Sequence, residues 1–280
     1  MNTSAAKYEF SEQGITLYIK FKEGNMLALE RRNLILEKLQ EEKRVVVSQL
    51  SQLFDVSEET IRRDLDKLEK EGLATKSYGG AVINEDVSID LPLNIRKNQN
   101  VVGKQKMAEI AAKLIQDGEH IFLDASTTAV FVAKALKEKK ERLTVITNSV
   151  EILLELSDVS GWNIISTGGV MKEGYLAFLG SKTEEAIRSY YVDKTIFSCK
   201  ALDHEWGIME SHEPFGSTKR AMMACGRKKI LVADSTKFDQ TAFSVAGKLR
   251  DVDVVVTDKK PSDKWMQHFE DLEIECRYPE

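Results

Sequence analysis

The sequence SEETIRRDL, residues 57–65, decides the fold of the first part of the chain. Its serine can cap a helix, because a serine hydroxyl accepts hydrogen bonds from the unpaired N–H groups of a first turn. The apolar side chains recur four and three residues apart and predict one buried face, formed by Ile61, Leu65 and Leu68. Arg63 then lies on the opposite face, flanked by Arg62. The stretch therefore predicts an amphipathic helix that presents two guanidinium groups to solvent.

The residues before this helix predict a helix-turn-helix. A shorter helical stretch covers residues 47–54, and residues 55–56 leave only a tight turn between the two helices. A longer amphipathic helix is predicted over about residues 27–41. In a helix-turn-helix the second helix enters the major groove, where arginine can bond guanine edges and phosphate oxygens. Paired arginines are more often solvated surface charges, but that alternative does not explain the spacing of the helices.

A β-hairpin is predicted directly after the second helix. Residues 73–78 can form a strand, and the glycines at 79–80 can form the turn. Such a hairpin is the wing of a winged helix-turn-helix. We predict that the DNA-binding residues come from the second helix and this wing: Ser57, Thr60, Arg62, Arg63, Lys67, Lys76 and Tyr78.

These residues resemble the signature of the DeoR family of bacterial transcriptional regulators. The signature is an arginine, two spaced aliphatic residues and then Ser-x-x-Thr-aliphatic-Arg-Arg-Asp-aliphatic, which here begins at Arg31 and ends at Leu65. The family's Gly-Gly-Ala wing ending is matched by residues 79–81. The resemblance implies a homo-oligomer, dimer or tetramer, that binds double-stranded operator DNA. It also implies a repressor of a sugar-utilisation operon whose DNA binding is modulated by a phosphorylated sugar.

Composition agrees with a two-domain protein and limits how it can bind DNA. The chain has 280 residues, of which 42% are hydrophobic and 30% are charged, and its net charge is -5. Because the whole chain is acidic, DNA binding must come from a local basic patch. The three cysteines and four histidines show no metal-ligand spacing, so we predict neither a metal nor a cofactor. No membrane-spanning stretch is visible, and we expect a cytoplasmic protein.

We predict four segments along the chain. Residues 1–25 are an N-terminal extension, either a disordered arm or the product of a misannotated start site. Residues 26–82 form the winged helix-turn-helix domain, and residues 83–100 form a linker. Residues 101–280 form the sugar-phosphate-sensing effector domain.

The second half of the chain predicts an α/β fold. Short apolar runs alternate with helical stretches, which is typical of a parallel sheet covered by helices. The runs are residues 121–123, 143–146, 163–165, 195–197, 230–233 and 252–256. The predicted fold class is α/β, with an N-terminal winged helix-turn-helix and a C-terminal Rossmann-like parallel-sheet effector domain. The resemblance adds that this domain is related to sugar-phosphate isomerases and CoA transferases.

Ligands of such sheets bind beyond the carboxyl ends of the strands. The first apolar run is followed by DASTT, residues 124–128, whose hydroxyls and helix-opening N–H groups suit a phosphate. A plain helix cap is the equal alternative for this motif. The carboxylate of Asp124 would repel a phosphate and suits a sugar hydroxyl, whereas Lys237 could serve as the phosphate counter-ion. With the family motifs, the predicted effector-binding residues are Asp124, Ser126, Thr127, Thr128, Thr147, Asn148, Gly168, Gly169, Lys200, Asp234 and Lys237. For Lys200, a position on the protein surface is an equal alternative.

Two further expectations concern single positions. Ser126 stands where the family has glycine, and it would be strained if that position needs a positive φ. The charged helix residues Glu213, Lys219 and Arg220 are expected to be solvated.

An enzymatic function remains as the alternative. The α/β domain would then be a sugar-phosphate isomerase or a CoA-transferase-like enzyme with a DNA-binding head. Isomerisation needs a carboxylate base and a general acid, which Asp124, Glu213 and Lys200 could nominally supply. The glycine-rich run around a lysine that ribose-phosphate isomerases carry is absent from the sequence, and this favours the regulator.

Overall fold

The structure is a computed structural model that describes residues 27–84, 91, 93–172 and 174–279. The chain divides into two compact units between Ile83 and Asn84. The predicted extension, residues 1–25, lies outside the described residues, as do residues 85–90 and 92 of the predicted linker. Within the described ranges, no helix is both long enough and apolar enough to cross a bilayer.

The first unit is a winged helix-turn-helix. Its elements in chain order are α1 (Ala28–Glu42), β1 (Arg44–Val46), α2 (Val47–Phe54), α3 (Glu58–Lys70), β2 (Ala74–Ser77) and β3 (Gly80–Ile83). The strands form an antiparallel sheet in the order β1-β3-β2. The apolar faces of the helices meet in a core whose fully buried members are Ile35, Leu36, Leu39, Leu50, Ile61 and Leu65.

Local interactions fix the turn between α2 and α3. Asp55 adopts a left-handed conformation with φ of 51°, and its N–H donates to the carbonyl of Ser51, which ends α2. The Ser51 hydroxyl donates to the carbonyl of Val56 at 2.6 Å. Ser57 then caps α3, since its hydroxyl accepts from the N–H of Thr60 at 3.2 Å. The predicted N-cap and tight turn are therefore both present.

Both glycines of the wing are needed for different reasons. Gly79 has a φ of +79°, which a side chain would strain. A Cβ on Gly80 would lie 1.9 Å from the carbonyl oxygen of Val45 on the neighbouring strand β1. The hairpin turn is at Tyr78 and Gly79, one residue earlier than predicted, because Gly80 already pairs in β3.

The second unit is an α/β domain, as predicted. Its strands are β4 (His120–Leu123), β5 (Thr144–Thr147), β6 (Asn163–Ser166), β7 (Val170–Lys172), β8 (Ala177–Leu179), β9 (Val192–Phe197), β10 (Ala201–Asp203), β11 (Gly207–Glu210), β12 (Gly226–Val232), β13 (Ser244–Gly247), β14 (Val254–Val256) and β15 (Glu275–Arg277). Its helices are α4 (Leu93–Asn98), α5 (Val101–Lys113), α6 (Thr127–Lys139), α7 (Val150–Glu155), α8 (Ser181–Arg188), α9 (Glu213–Ala224) and α10 (Asp263–Asp271).

Seven strands form one parallel sheet in the order β15-β14-β12-β9-β4-β5-β6. The chain runs outward from β4 through β5 and β6, then crosses back and runs the other way from β9. The strand order therefore reverses between β4 and β9, and a crevice opens at their carboxyl ends. This switch point positions the candidate site.

Some elements were not predicted from the sequence. They are the short strand β1, the edge strand β15, the hairpin of β7 and β8, a small antiparallel sheet of β10, β11 and β13, and the helix α10. Helix α4 falls within the segment that we assigned to the linker, and its residues Leu93 and Ile95 are buried. Among the described residues, the first helix of the second unit is thus built from residues predicted to connect the domains.

Candidate functional site

The exposed face of α3 carries the two arginines of the predicted DNA-binding surface. Arg62 bonds Glu58 at 2.5 Å, and the Nε of Arg63 contacts Glu59 Oε1 at 3.3 Å. The Arg63 side chain is 75% exposed. Exposed ion pairs one helical turn apart contribute only about 0.3–0.5 kcal/mol. Both guanidinium groups can therefore leave these carboxylates for phosphate oxygens or base edges.

The remaining predicted DNA-binding residues lie on α3, its cap and the wing. Ser57 and Thr60 share a hydroxyl hydrogen bond of 2.9 Å at the start of α3, and Lys67 is exposed on the same helix. Lys76 on β2 forms an ion pair with Asp66 of α3, which raises the pKa of this lysine. Tyr78 is fully exposed at the wing turn. The wing is thus tied to the recognition helix through Lys76.

A buried ion pair that the sequence interpretation missed positions α3. Arg31 on α1 donates from Nε to Asp64 Oδ2 at 2.6 Å, and the two side chains are 8% and 5% exposed. Both residues belong to the family signature quoted above, but they are 33 positions apart in the sequence. Residue spacing alone gave no sign that they pair.

A cavity of about 450 Å³ lies in the second unit at the switch point of the sheet. Residues that follow the ends of the neighbouring strands β5, β4, β9 and β12 line it. Its volume is in the range of ordinary small-ligand sites. Eight of the predicted effector-binding residues line the cavity: Asp124, Ser126, Thr127, Thr128, Asn148, Lys200, Asp234 and Lys237.

Three predicted residues do not line the cavity. Thr147 is fully buried, and its hydroxyl accepts from the N–H of Ser149 at 3.0 Å. The carbonyl of Gly168 accepts from the Thr183 hydroxyl at 2.7 Å, and a Cβ on Gly169 would lie 2.0 Å from that same hydroxyl. The glycine pair therefore allows close packing against Thr183 of α8.

Ser126 is not strained, because its position does not have the positive φ on which the expected strain depended. Its φ is -82°, and its hydroxyl caps α6 by accepting from the N–H of Ala129 at 3.1 Å. The same hydroxyl donates to Asp124 Oδ1 at 2.5 Å. Serine at this position therefore shapes the strand-to-helix turn and needs no left-handed backbone.

Asp124 connects three parts of the site. Its second oxygen accepts from the N–H of Ser198 after β9 at 3.1 Å and from the Nζ of Lys219 on α9 at 3.2 Å. The expectation that Lys219 is solvated was wrong, because this lysine is buried and also paired with Glu210. Burial opposes its charge, but the carboxylates of Glu210 and Asp124 outweigh that effect and raise the pKa of Lys219.

The cavity lining has an excess of positive charge. Five basic side chains, Arg96, Lys104, Lys200, Lys219 and Lys237, face three carboxylates, Asp124, Glu210 and Asp234, a difference of two. Sequence analysis missed Arg96, which lies in the predicted linker, and Lys104. A signal for Lys104 existed, since it precedes the buried Met107 and Ala108 on one face of α5. Burial lowers the pKa of Lys104 to about 8.

Several polar atoms of the lining have no partner. Among the described residues, Arg96 Nη2, Asn148 Oδ1 and Ser211 Oγ are buried and make no hydrogen bond. All three residues line the cavity. An unpaired buried donor or acceptor costs about 1–3 kcal/mol, so these atoms are suited to bonding a ligand. The set combines a cationic donor, an amide acceptor and a hydroxyl.

The described residues offer no group of three or more His, Cys, Asp or Glu side chains that could hold a metal ion. Cys199, Cys225 and Cys276 are free thiols. Burial raises the pKa of the Cys199 thiol, so this cavity-lining cysteine is held as the neutral form. The excess of positive charge and the unpaired polar atoms of the lining suit the cavity to a polar, anionic ligand.

The comparisons with known proteins identify a family for each half of the chain. A model of the DeoR-like helix-turn-helix domain matches residues 31–87, and a model of the DeoR C-terminal sensor domain matches residues 99–259. An uncharacterised HTH-type transcriptional regulator, YulB of Bacillus subtilis (strain 168), is 39% identical over 249 residues, covering 89% of this chain and 96% of the relative.

Two other relatives have more specific names. The transcriptional repressor AccR of Agrobacterium fabrum is 36% identical over 230 residues, covering 82% of this chain and 89% of the relative. The glycerol-3-phosphate regulon repressor of Escherichia coli (strain K12) is 30% identical over 250 residues, covering 89% of this chain and 98% of the relative. Both matched domain types, DNA-binding and sensor, are non-catalytic, which excludes the enzymatic alternative. This chain belongs to the DeoR family of helix-turn-helix transcriptional regulators.

Proposed function

We propose that this regulator represses a carbohydrate-utilisation operon. We further propose that a phosphorylated sugar, bound in the sensor cavity, changes its affinity for operator DNA. Both of the relatives with specific names described above are repressors, and one of them is named for a phosphorylated polyol. Because its target is operator DNA, we place the protein in the cytoplasm.

The DNA-binding part of the proposal rests on α3 and the wing. Arg62 and Arg63 are exposed and weakly paired, and Tyr78 projects from the wing turn. Major-groove binding by a helix-turn-helix usually involves two copies, whose recognition helices lie about 34 Å apart on one face of the DNA. We therefore propose that a homo-oligomer, dimer or tetramer, binds a repeated half-site.

The effector part rests on one observation, the chemistry of the cavity at the switch point. Its excess of two positive charges matches the charge of about -1.5 to -2 on a phosphate monoester at pH 7. The α6 N-terminus with Thr127 and Thr128 adds N–H and hydroxyl donors. The unpaired Asn148 Oδ1 can accept from a sugar hydroxyl. A phosphorylated sugar supplies both kinds of group.

Occupancy of the cavity can change DNA binding only if the sugar phosphate binds one arrangement of the protein better than another. Typical couplings between two sites are about 1–3 kcal/mol, which corresponds to roughly a 5- to 150-fold change in affinity. We propose that the sugar phosphate binds better to the arrangement that has the lower affinity for operator DNA, so that its presence relieves repression.

The test is fluorescence anisotropy of the full-length protein on labelled DNA from upstream of its own gene and of adjacent carbohydrate genes. Glucose 6-phosphate, fructose 6-phosphate, glycerol 3-phosphate and the unphosphorylated parent compounds are titrated into the complex. We expect release by at least one phosphorylated compound and no effect of its unphosphorylated parent. Specific DNA binding that none of these compounds alters would contradict the effector assignment, and tightening would reverse the sign of the response.

A further inference from the structure

The parallel sheet of the second unit ends in two edge strands, β15 and β6, which differ in charge. Strand β15 carries Glu275 and Arg277, whose side chains are partly exposed and form an ion pair with each other. Charged side chains on an edge strand discourage pairing with another chain. Strand β6 has the uncharged sequence Asn-Ile-Ile-Ser, and none of its four residues is fully buried. Its edge is therefore open to a further strand.

The hydrogen bonds of β6 show which of its backbone groups are unused. The N–H of Asn163 donates to the carbonyl of Leu143 at 2.9 Å, and the N–H of Thr167 likewise donates toward β5. Because backbone groups alternate in direction along a strand, those of Ile164 and Ser166 point away from β5. In the part of the chain that the structure describes, no strand pairs with β6 on that side.

An uncharged groove lies beside this open edge. It is lined by residues of β4, β5 and β6, including the first residue of each strand, and by Trp162, Tyr190 and Tyr191. The Tyr191 residue is 72% exposed. Although 30% of the chain is charged, the described residues that line the groove include no Asp, Glu, Lys or Arg. Aromatic residues are enriched, and charged residues depleted, in the cores of protein interfaces.

We propose that two copies of this chain associate through this surface, the β6 edge and its groove. Strand β6 of one copy pairs antiparallel with β6 of the other, so that the sheet continues across a twofold axis. The inference rests on the proposed function, which calls for a homo-oligomer, and it names the surface that joins the copies.

The surface is complementary to itself in this arrangement. The groove lies at the amino end of β6, and antiparallel pairing brings the carboxyl end of the other β6 beside it. Val170 and Met171 follow that carboxyl end after a three-residue turn, and they are 76% and 55% exposed. These apolar side chains of each copy thus lie near the groove of the other. Each copy supplies both halves of the contact, as a twofold interface requires.

Charge also favours a second copy at this surface. Each copy has a net charge of -5, so two copies repel one another through most of their surface. The β6 strand and the groove lining bring no like charges together, because neither carries Asp, Glu, Lys or Arg. A twofold axis is also the symmetry with which two recognition helices bind a palindromic pair of half-sites.

The experiment combines sedimentation velocity with hydrogen–deuterium exchange on the full-length protein. Sedimentation across the micromolar range gives the dissociation constant of the dimer, and exchange is then measured above and below that concentration. In the unsubstituted protein we expect a dimer, with slower amide exchange at Ile164 and Ser166 where the dimer forms. Tyr191→Glu and Val170→Glu each place a carboxylate in the contact, and each should raise the dissociation constant by about 100-fold or more.

Controls separate this effect from misfolding and from total charge. Both substituted side chains are exposed, so the circular dichroism spectrum and melting temperature should match those of the unsubstituted protein. Phe243→Glu makes the same change at an aromatic residue that is 86% exposed and does not line the groove, and this variant should remain a dimer. Tyr191→Phe keeps the ring and should also remain a dimer.

The outcomes separate this inference from the proposed function. If the protein is a dimer but either Tyr191→Glu or Val170→Glu leaves the equilibrium unchanged, the interface is overturned while the proposed homo-oligomer stands. The same holds if Ile164 and Ser166 gain no protection, or if Phe243→Glu dissociates the dimer equally. If the unsubstituted protein is monomeric both with and without operator DNA, the proposed homo-oligomer fails, and this surface is then not a contact between copies.

Discussion

Arg63 is held by Glu59 only through an exposed contact of 3.3 Å, so DNA needs to displace a weak partner. Substitution of this side chain tests the DNA-binding surface most directly. Replacing Arg63 with alanine should weaken operator binding by ~1–3 kcal/mol if the guanidinium contacts a base, and should flatten the sequence preference at that base pair. Anisotropy on operator DNA variants at several salt concentrations measures both effects.

Glu59→Gln is the matched control for this substitution. It removes the carboxylate that competes for Arg63, so operator binding should be kept or strengthened. If Arg63→Ala weakens all sequences equally and lowers the salt dependence by about one counterion, the arginine contacts only phosphate. Unchanged binding in Arg63→Ala would remove this residue from the DNA-binding surface.

Single residues also mark the limits of interpretation from sequence. The cap residues Ser57 and Ser126 were predictable, because a cap acts on its own helix within three residues. The burial of Lys219 was not predictable. Its partners Glu210 and Asp124 come from other elements, and only their proximity in space makes a buried ammonium acceptable.

Between elements, the ion pair of Arg31 and Asp64 holds α1 against α3. Asp64→Ala would leave the Arg31 charge buried without a partner, which typically costs about 3–5 kcal/mol. We expect faster amide exchange in α1 and α3, lower stability of the first unit and weaker operator binding. Hydrogen–deuterium exchange of these two helices measures the loss, since all three tryptophans lie in the second unit.

Two variants test whether this loss comes from the unpaired charge. Asp66→Ala, which breaks the exposed pair of α3 with Lys76, should leave exchange in α1 unchanged. Replacing both buried partners, Arg31→Met with Asp64→Leu, should recover much of the stability, because no buried charge remains. If Asp64→Ala behaves like Asp66→Ala, the pair does not position the recognition helix.

Most strands that were predicted from the sequence are visible there as runs of apolar residues. Five of the six predicted strands lie inside the parallel sheet and are largely buried, so each appears as a continuous apolar run. The sixth, β6, is an edge strand, and its apolar residues Ile164 and Ile165 are only partly buried. Of the strands missed in the second unit, four have only three residues, too few to show a period of two: β7, β8, β10 and β15. The other two, β11 and β13, have four residues each. Their pairing depends on partners elsewhere in the fold.

Across the whole molecule, DNA binding and effector binding are expected to be separable. Lys237 lines the cavity in the second unit and has no place on α3 or the wing. Lys237→Gln should leave operator affinity unchanged without ligand. It should raise the sugar-phosphate concentration needed for half-maximal release by about 10- to 100-fold, because a charged hydrogen-bond donor is lost.

Lys259→Gln provides the control for charge in the same unit, since Lys259 is exposed and outside the cavity lining. Its response should match that of the unsubstituted protein. Anisotropy with and without sugar phosphate gives both quantities for each variant. Loss of operator affinity in ligand-free Lys237→Gln would show that Lys237 has a structural role or that the two sites are not separable.

The sequence by itself determined the winged helix-turn-helix, the α/β class of the second unit and eight residues of its cavity. Helix periodicity, caps, wing glycines and apolar runs are local features, and the carboxyl ends of parallel strands meet at one edge by geometry. Only the tertiary structure decided which polar groups meet. It paired Arg31 with Asp64, buried Lys219 and added Arg96 from the predicted linker to the cavity. Such contacts join residues far apart in sequence, and the free energy of burying a charge depends on which partner lies beside it.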